Sequence, residues 1–305
     1  MGLCIIGREK SDSNIKLIEE AKKRFDSVFF VPIDSIGVGL SRGFSICYRA
    51  TDILKFDAVL PRIPKSCSPY AYQLLSLFPS NTFMPIKPIS FLLADERFFL
   101  LTVLRKRGIP TLNLHLTRSS RASARIIDDL EFPLILRTPN KKIGVVVKNR
   151  LEAKSIVDAL THLQQPILIE SMVKDMVSVY VAEPDIVASM RKKTKEPDII
   201  FSPGDFRSTK IDLDAQYLAL DAARAVDAQI AKVDISLSPE PKVVNIDLNP
   251  DLITPSRVTG VDIPKRLIEC VYRNYNEYRE KPLLMKFFED AKSVIKDVLK
   301  TKQLL

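Results

Sequence analysis

An α/β fold, with parallel strands at the N-terminus and hairpins in the C-terminal half, is what this sequence predicts. Three observations predict it. "GLCIIG", "SNIKLIEEAKKRF", "SVFFVPI" and "FDAVLPRI" follow one another as strand, helix, strand and strand, the spacing of a parallel sheet with a crossover helix. "FPLILRTP" and "IGVVVKN" are two apolar runs joined by "TPNKK". "VSVYVAEPDIVASMRKK" and "AKVDISLSPEPKVVNIDLN" each break once at a Pro-containing turn, "EPD" and "SPEP", and so read as hairpins.

At 305 residues the chain is too long for one small core and suits two or three packed subdomains. Boundaries near 90 and 165 divide it into 1–90, 91–165 and 166–280, with 281–305 as a tail. "PYAYQLLSLF" is a helix, and "SFLLADERFFLLTVLRKRG" reads as one continuous helix ending at Gly108, with Arg105, Lys106 and Arg107 where the helix dipole favours cations. "LEAKSIVDALTHL" is an amphipathic helix, "PILIESM" a strand, and "DLDAQYLALDAARAVDAQI" a helix starting at Asp212. In the tail, Leu284, Phe287, Phe288, Ala291, Val294, Ile295 and Val298 recur at helical spacing, as expected of a helix docked on the body or on a partner.

Composition narrows the function. Hydrophobic residues make up 46% and charged residues 27%, a globular balance. No run approaches the roughly 18 apolar residues of a membrane span, and the N-terminus lacks a cleavage-site pattern, so a cytoplasmic protein without membrane attachment is expected. Cys4, Cys47, Cys67 and Cys270 have no metal-ligand spacing and read as reduced thiols. Two histidines, His115 and His162, leave little material for a His-based metal site or a Ser-His-Asp triad. The net charge of +9 suits phosphates, an acidic substrate or nucleic acid, but no aromatic–basic RNA module is present.

The last hairpin carries the chemistry. In "VVNIDLNPDL", Asn245, Asp247 and Asn249 alternate and share one face of a strand. Lys232, Asp234 and Ser236 alternate on the preceding strand, and a turn at "SPEP" brings Asp234 near Asn245 and diagonally near Asp247. Alternation alone fits the wet face of an antiparallel sheet. Two carboxylates and an amide also form a set of hard oxygen donors suited to magnesium held together with phosphate.

Several segments in order resemble those of the ATP-grasp ligases, in particular the group around the enzyme that adds glutamates to ribosomal protein S6. They are "FDAVLPRI", "LLADERFFLLTVLRKRGIPTL", "FPLILRTPNKKIGVVV", "PILIES", "KDMVSVYV", "GDFRS", "AKVDISL" and "VVNIDLNPDLITPSRVTGVDIP", covering about residues 1–275. The resemblance implies an ATP-grasp fold behind an N-terminal pre-ATP-grasp parallel α/β domain. It implies an ATP- and magnesium-dependent carboxylate–amine ligase working through an acyl-phosphate, with glutamate or another amino acid and a carboxylate-bearing protein C-terminus or small cofactor as substrates. It implies Asp234, Asp247 and Asn249 as metal ligands, Arg207 and Ser208 as catalytic residues beside the transferring phosphate, and Arg62 on the substrate side. For the nucleotide it implies Arg97, Arg137, Lys141, Lys142, Glu170 as the hinge acid and Asp175 as a ribose contact.

The chain departs from the family pattern in places. Arg137 stands where relatives have a phosphate-binding Lys, and Glu96 aligns with a second, so that Arg97 supplies that charge one residue on. Asp247 replaces a Glu and Val177 an Arg, and the phosphate loop "TPNKKIG" keeps only Gly144. A divergent ATP-grasp protein that binds nucleotide without ligating, and a basic RNA- or ribosome-associated protein, are the alternative readings. The oligomeric state, including a homo-oligomer, is left open.

Overall fold

The computed structural model describes residues 1–40, 44–139, 144–196 and 198–281. The chain contacts form two compact units. The first comprises Met1–Pro64, Gln73–Ile86 and the segment from Pro264 on; the second comprises Lys65–Tyr72 and Lys87–Ile263.

The N-terminal part runs β1 (Gly2–Gly7), α1 (Asp12–Ala21), β2 (Ser27–Pro32), β3 (Gly37–Gly39), β4 (Ser45–Tyr48), β5 (Thr51–Asp52), β6 (Ala58–Arg62) and α2 (Ser68–Leu75). The expected parallel sheet forms in the order β2-β1-β6, with the buried run Leu3–Ile6 at its centre. Strands β3, β4 and β5 add a small antiparallel sheet that the sequence reading lacked. The same unit contains most of a helix at Ile263–Glu280, tied in by ring contacts of Phe25 with Tyr272 and of Phe83 with Tyr275. Most of this helix, which the expected division placed in 166–280, thus groups with the first unit. The predicted tail helix lies outside the described residues.

The second unit holds α3 (Pro88–Leu93), α4 (Arg97–Lys106), β7 (Leu114–Thr117), α5 (Ser120–Asp128), β8 (Leu134–Arg137), β9 (Gly144–Val147), α6 (Arg150–His162) and β10 (Ile167–Ser171). Next come β11 (Met176–Ala182), β12 (Asp185–Lys193), β13 (Asp205–Ser208), α7 (Leu213–Ala225), β14 (Ile230–Ser236), β15 (Lys242–Asp247) and α8 (Ile253–Thr259); the helix Ile263–Glu280 is α9. Two antiparallel sheets result, ordered β7-β10-β8-β9 and β13-β12-β11-β14-β15. Strand β10 pairs with both β7 and β8, so the boundary expected at 165 falls inside the territory of the first sheet, which ends at Ser171.

The single helix expected from "SFLLADERFFLLTVLRKRG" is two. Glu96 takes an extended backbone and caps α4, its carboxylate accepting from the Phe98 and Phe99 amides at 2.8 Å each. Periodicity did not reveal this break, because apolar residues continue on both sides of it. The interruption makes Arg97 the first residue of α4, where it is buried.

In the four-stranded sheet Leu134 and Leu136 on β8 and Ile167 and Ile169 on β10 pack with Ala153 and Val157 of α6 and Ile127 of α5. Strand alternation then sends Ile135, Arg137, Leu168 and Glu170 to the other face. In the five-stranded sheet Val177, Val179, Val181, Val233 and Ile235 form one fully buried apolar face. Helix α7 lies against this sheet with a buried stripe of Ala215, Ala219, Ala222 and Ala223, whose small side chains permit a close approach.

Candidate active site

The second unit gathers charge at two neighbouring places. The first is a buried quartet. Arg97 and Arg137 both ion-pair with Glu170, Arg137 Nε lying 2.7 Å from Glu170 Oε1, and Arg137 Nη2 also donates to Asp198 Oδ2 at 2.9 Å. The side chains of Arg97, Arg137 and Glu170 are between 1% and 4% exposed, and that of Asp198 is 13% exposed. Arg97 Nε donates to the Val244 carbonyl of β15 at 3.1 Å, which ties α4 to both sheets. The Phe201 ring stacks on both guanidinium groups, 4.7 Å from Arg137 Cζ and 5.7 Å from Arg97 Cζ. Two cations and two anions leave the quartet neutral, which is how four charges can be buried at tolerable cost.

Gly144 belongs to this arrangement. It faces Arg137 across β8 and β9, and a Cβ there would lie 3.1 Å from Arg137 Cζ and 2.7 Å from Ile135 Cγ2. The one glycine kept in "TPNKKIG" makes room for the Arg137 guanidinium. Lys141 and Lys142 of that loop lie outside the described residues.

The second place is one face of the five-stranded sheet. The register pairs Lys232 with Asp247 and Asp234 with Asn245, as the "SPEP" turn implied. Asp234 is buried: its Oδ1 accepts from Ser178 Oγ at 2.6 Å and its Oδ2 from Asn245 Nδ2 at 3.3 Å. Asn245, which matched no metal position in sequence, thus holds Asp234 in place. Lys232 Nζ lies 3.4 Å from Asp234 Oδ2 and 3.9 Å from Asp247 Oδ2. Burial pushes the Lys232 ammonium down, but Asp234 and Asp247 outweigh it and leave its pKa raised. Asn249 lies beyond the end of β15, with its backbone N–H donating to Asp247 Oδ1 at 3.0 Å.

Lys192 lies between the two places and was not expected. Its row in the sheet runs from Phe206, whose ring sits 5.9 Å from Lys192 Nζ, through Lys192 to Met176. Burial lowers its pKa, Asp234 and Asp198 counter that, and Lys232 adds to it. The stretch "MRKK" showed alternation, but no spacing in the sequence connects Lys192 with Asp198 or Asp234.

The other expected residues separate. Ser208 pairs with Met190, in the row that continues through Ser178 to Asp234, so it stands at the edge of the site face. Arg207 pairs with Arg191, in the row that continues through Val177 to Ile235, and is exposed on the opposite face. Asp175 pairs with Arg191 at 3.4 Å, both half-exposed. Arg62 belongs to the first unit, buried at the end of β6 with Nε donating to Asn14 Oδ1 at 3.3 Å. Gly204, just before β13, has no room for a side chain: a Cβ would lie 2.4 Å from the Lys193 carbonyl oxygen.

The donor set suits a divalent ion in one part only. Among the described residues no three acidic, His or Cys side chains converge as a metal cage. Asp247, with a 40% exposed side chain, and the Asn249 amide are oxygen donors of the kind magnesium takes when phosphate completes its shell. Asp234 is committed to Ser178, Asn245 and Lys232. The charges argue for an accompanying ion. Arg97, Arg137, Lys192 and Lys232 are matched by Glu170, Asp198, Asp234 and Asp247, which leaves no net positive charge among these eight for a triphosphate.

The chain is similar to known proteins over most of its length. The family described as the RimK-like ATP-grasp domain matches residues 94–271, more than half of the chain. A probable alpha-L-glutamate ligase of Nitrosococcus oceani is 25% identical over 299 residues, covering 92% of this chain and 98% of that protein. The ribosomal protein bS6–L-glutamate ligase of Escherichia coli is 26% identical over 255 residues, covering 75% of this chain and 81% of that protein. Among solved structures, the ATP-grasp ligase PsnB, complexed with a phosphomimetic variant of minimal precursor, Mg and ADP, superposes with a TM-score of 0.70. It is 15% identical, and the match covers 90% of this chain and 98% of that one. Among the described residues no helix is long and apolar enough to cross a membrane.

Proposed function

The chain belongs to the RimK-like ATP-grasp family, and we propose that within it the chain is an ATP- and magnesium-dependent carboxylate–amine ligase that adds glutamate, or another amino acid, to a carboxylate-bearing protein C-terminus or small cofactor. The observation that carries this reading is the placement of Asp247, Lys232 and Lys192 along one sheet face, with Asn249 just beyond the strand end, beside the buried Arg97–Glu170–Arg137 pairs. Names of the similar proteins, two of them glutamate ligases, support the amino-acid part of it.

In this reading Asp247 and Asn249 hold the ion, which neutralises phosphate charge when bound. Lys192 and Lys232 place ammonium groups where the transferring phosphoryl oxygens gain charge, and being partly desolvated they act more strongly than exposed lysines would. Ser208 borders that face. Arg97, Arg137 and Glu170 form the floor of the nucleotide site, and Arg97 links it to β15 through the Val244 carbonyl. Asp175, Lys141 and Lys142 are assigned to the nucleotide, as the resemblance implies, while Arg207, exposed on the opposite face, takes no part in this reading. The free thiols are in keeping with a reducing, cytoplasmic location.

The test is isotope transfer. With an ¹⁸O-labelled carboxylate acceptor, ATP and glutamate, ligation through an acyl-phosphate moves one ¹⁸O into the released phosphate. Failure to form ADP with any member of an amino-acid and acceptor panel would refute the reading. A second reading, nucleotide binding without ligation, has one observation in its favour: Arg97 and Arg137 are already matched by Glu170 and Asp198. Nucleotide binding without turnover, unchanged by Asp247→Ala, would select it.

A further inference from the structure

We propose that Lys232 is a built-in cation at the Asp234–Asp247 pair: its ammonium takes the place that a divalent ion would need between these carboxylates, so the ion accompanying the nucleotide binds at Asp247 and Asn249 without Asp234. The inference rests on the ligase reading for its nucleotide part alone.

The register brings the three groups together. Lys232 is the cross-strand partner of Asp247, and it shares a face with Asp234 two residues along β14, so its side chain has carboxylates on two sides. The ammonium lies 3.4 Å from Asp234 Oδ2 and 3.9 Å from Asp247 Oδ2. Asp234 in turn has no freedom to swing away: Ser178 and Asn245 hold both of its oxygens, and it is 4% exposed. A dication placed between the carboxylates would meet the ammonium at close range, a repulsion that low local polarity strengthens. Asp234 is therefore a positioning residue for Lys232. Lys232 keeps one positive charge on the phosphate-facing side whether or not metal is present. Asp247 differs from Asp234 in having a half-exposed side chain, and the chain beyond it presents Asn249.

Manganese serves as the probe. Binding of Mn²⁺ alone is followed by loss of the free-ion electron paramagnetic resonance signal, for the wild type, Lys232→Ala and the length-conserving Lys232→Met. Circular dichroism of each confirms the fold. Both variants should bind Mn²⁺ about tenfold or more tightly than the wild type, and adding Asp234→Asn should abolish the gain. With ADP present, Mn²⁺ binding by the wild type should survive Asp234→Asn and be lost in Asp247→Asn. Equal Mn²⁺ affinity in the wild type and in both Lys232 variants would overturn the proposal, as would loss of Mn²⁺·ADP binding in Asp234→Asn. If ADP binds to none of the proteins, the ligase reading falls, while the measurements with Mn²⁺ alone still decide the role of Lys232.

Discussion

Arg137 and Gly144 face each other across two antiparallel strands, and the glycine is bare because Ile135 Cγ2 and the arginine's guanidinium fill the space a Cβ would need. Gly144→Ala should displace the Ile135 side chain and strain the Arg137 contacts with Glu170 and Asp198. A loss of about 1–3 kcal/mol in urea unfolding is expected, typical of overpacking a tight site. Nucleotide affinity should fall with it. Unchanged stability would show that Arg137 can reach its partners by another path.

Glu170 holds two buried guanidinium groups at once. Glu170→Gln leaves Arg97 without its acid, and removing one partner of a buried pair costs about 3–5 kcal/mol. Urea denaturation measures this directly. A loss below about 1 kcal/mol would mean that water reaches the quartet and screens it.

Asp247 has a half-exposed side chain at a strand end, so its loss should affect chemistry more than folding. Asp247→Ala is expected to lower ADP formation by about 100-fold or more. Its unfolding free energy should stay within about 1 kcal/mol of the wild type. Steady-state kinetics with a melting curve on the same sample tests both parts, and full activity in the variant would remove Asp247 from the site.

Cys4 lies at the centre of the parallel sheet, and burial pushes its thiol from 9.0 up to about 12. The fold favours the protonated form. Its contribution is therefore complete below pH 9 and is lost as pH rises from 9 towards 12. Urea unfolding of the wild type and Cys4→Ala between pH 7 and 10.5 should show the wild-type advantage shrinking above pH 9. In the native protein at pH 8, Cys47 and Cys67 should react with a thiol reagent before Cys4 and Cys270, which are buried.

Much of the second sheet was legible in the sequence because it is built from alternation. Asp234 and Asn245 meet as the "SPEP" turn implied, and strand order within each hairpin followed from chain order. Lys232 was visible on the same face as Asp234, but its contact with both carboxylates depends on register and on rotamer. The quartet was not legible. Asp198 and Phe201 lie in "EPDIIFSPG", which has no period, and Arg97 is 73 residues from Glu170. The break at Glu96 was hidden because capping depends on one carboxylate turning back to two amides.

By itself the sequence determined the parallel N-terminal sheet, the two hairpins and the shared face of Asp234 and Asp247. Those features are local, set by side-chain period and turn chemistry within a few residues. Only the tertiary structure decided which cation each acid meets. Arg137 and Glu170 meet because packing of β8 and β10 on α5 and α6 commits their alternate residues to the opposite face, and Arg97 reaches the same carboxylate from the first turn of α4. Lys232 rests between Asp234 and Asp247 because strand pairing sets it opposite Asp247 and on the same face as Asp234. Charges pair through space at a few ångströms, and chain separation carries no information about that distance.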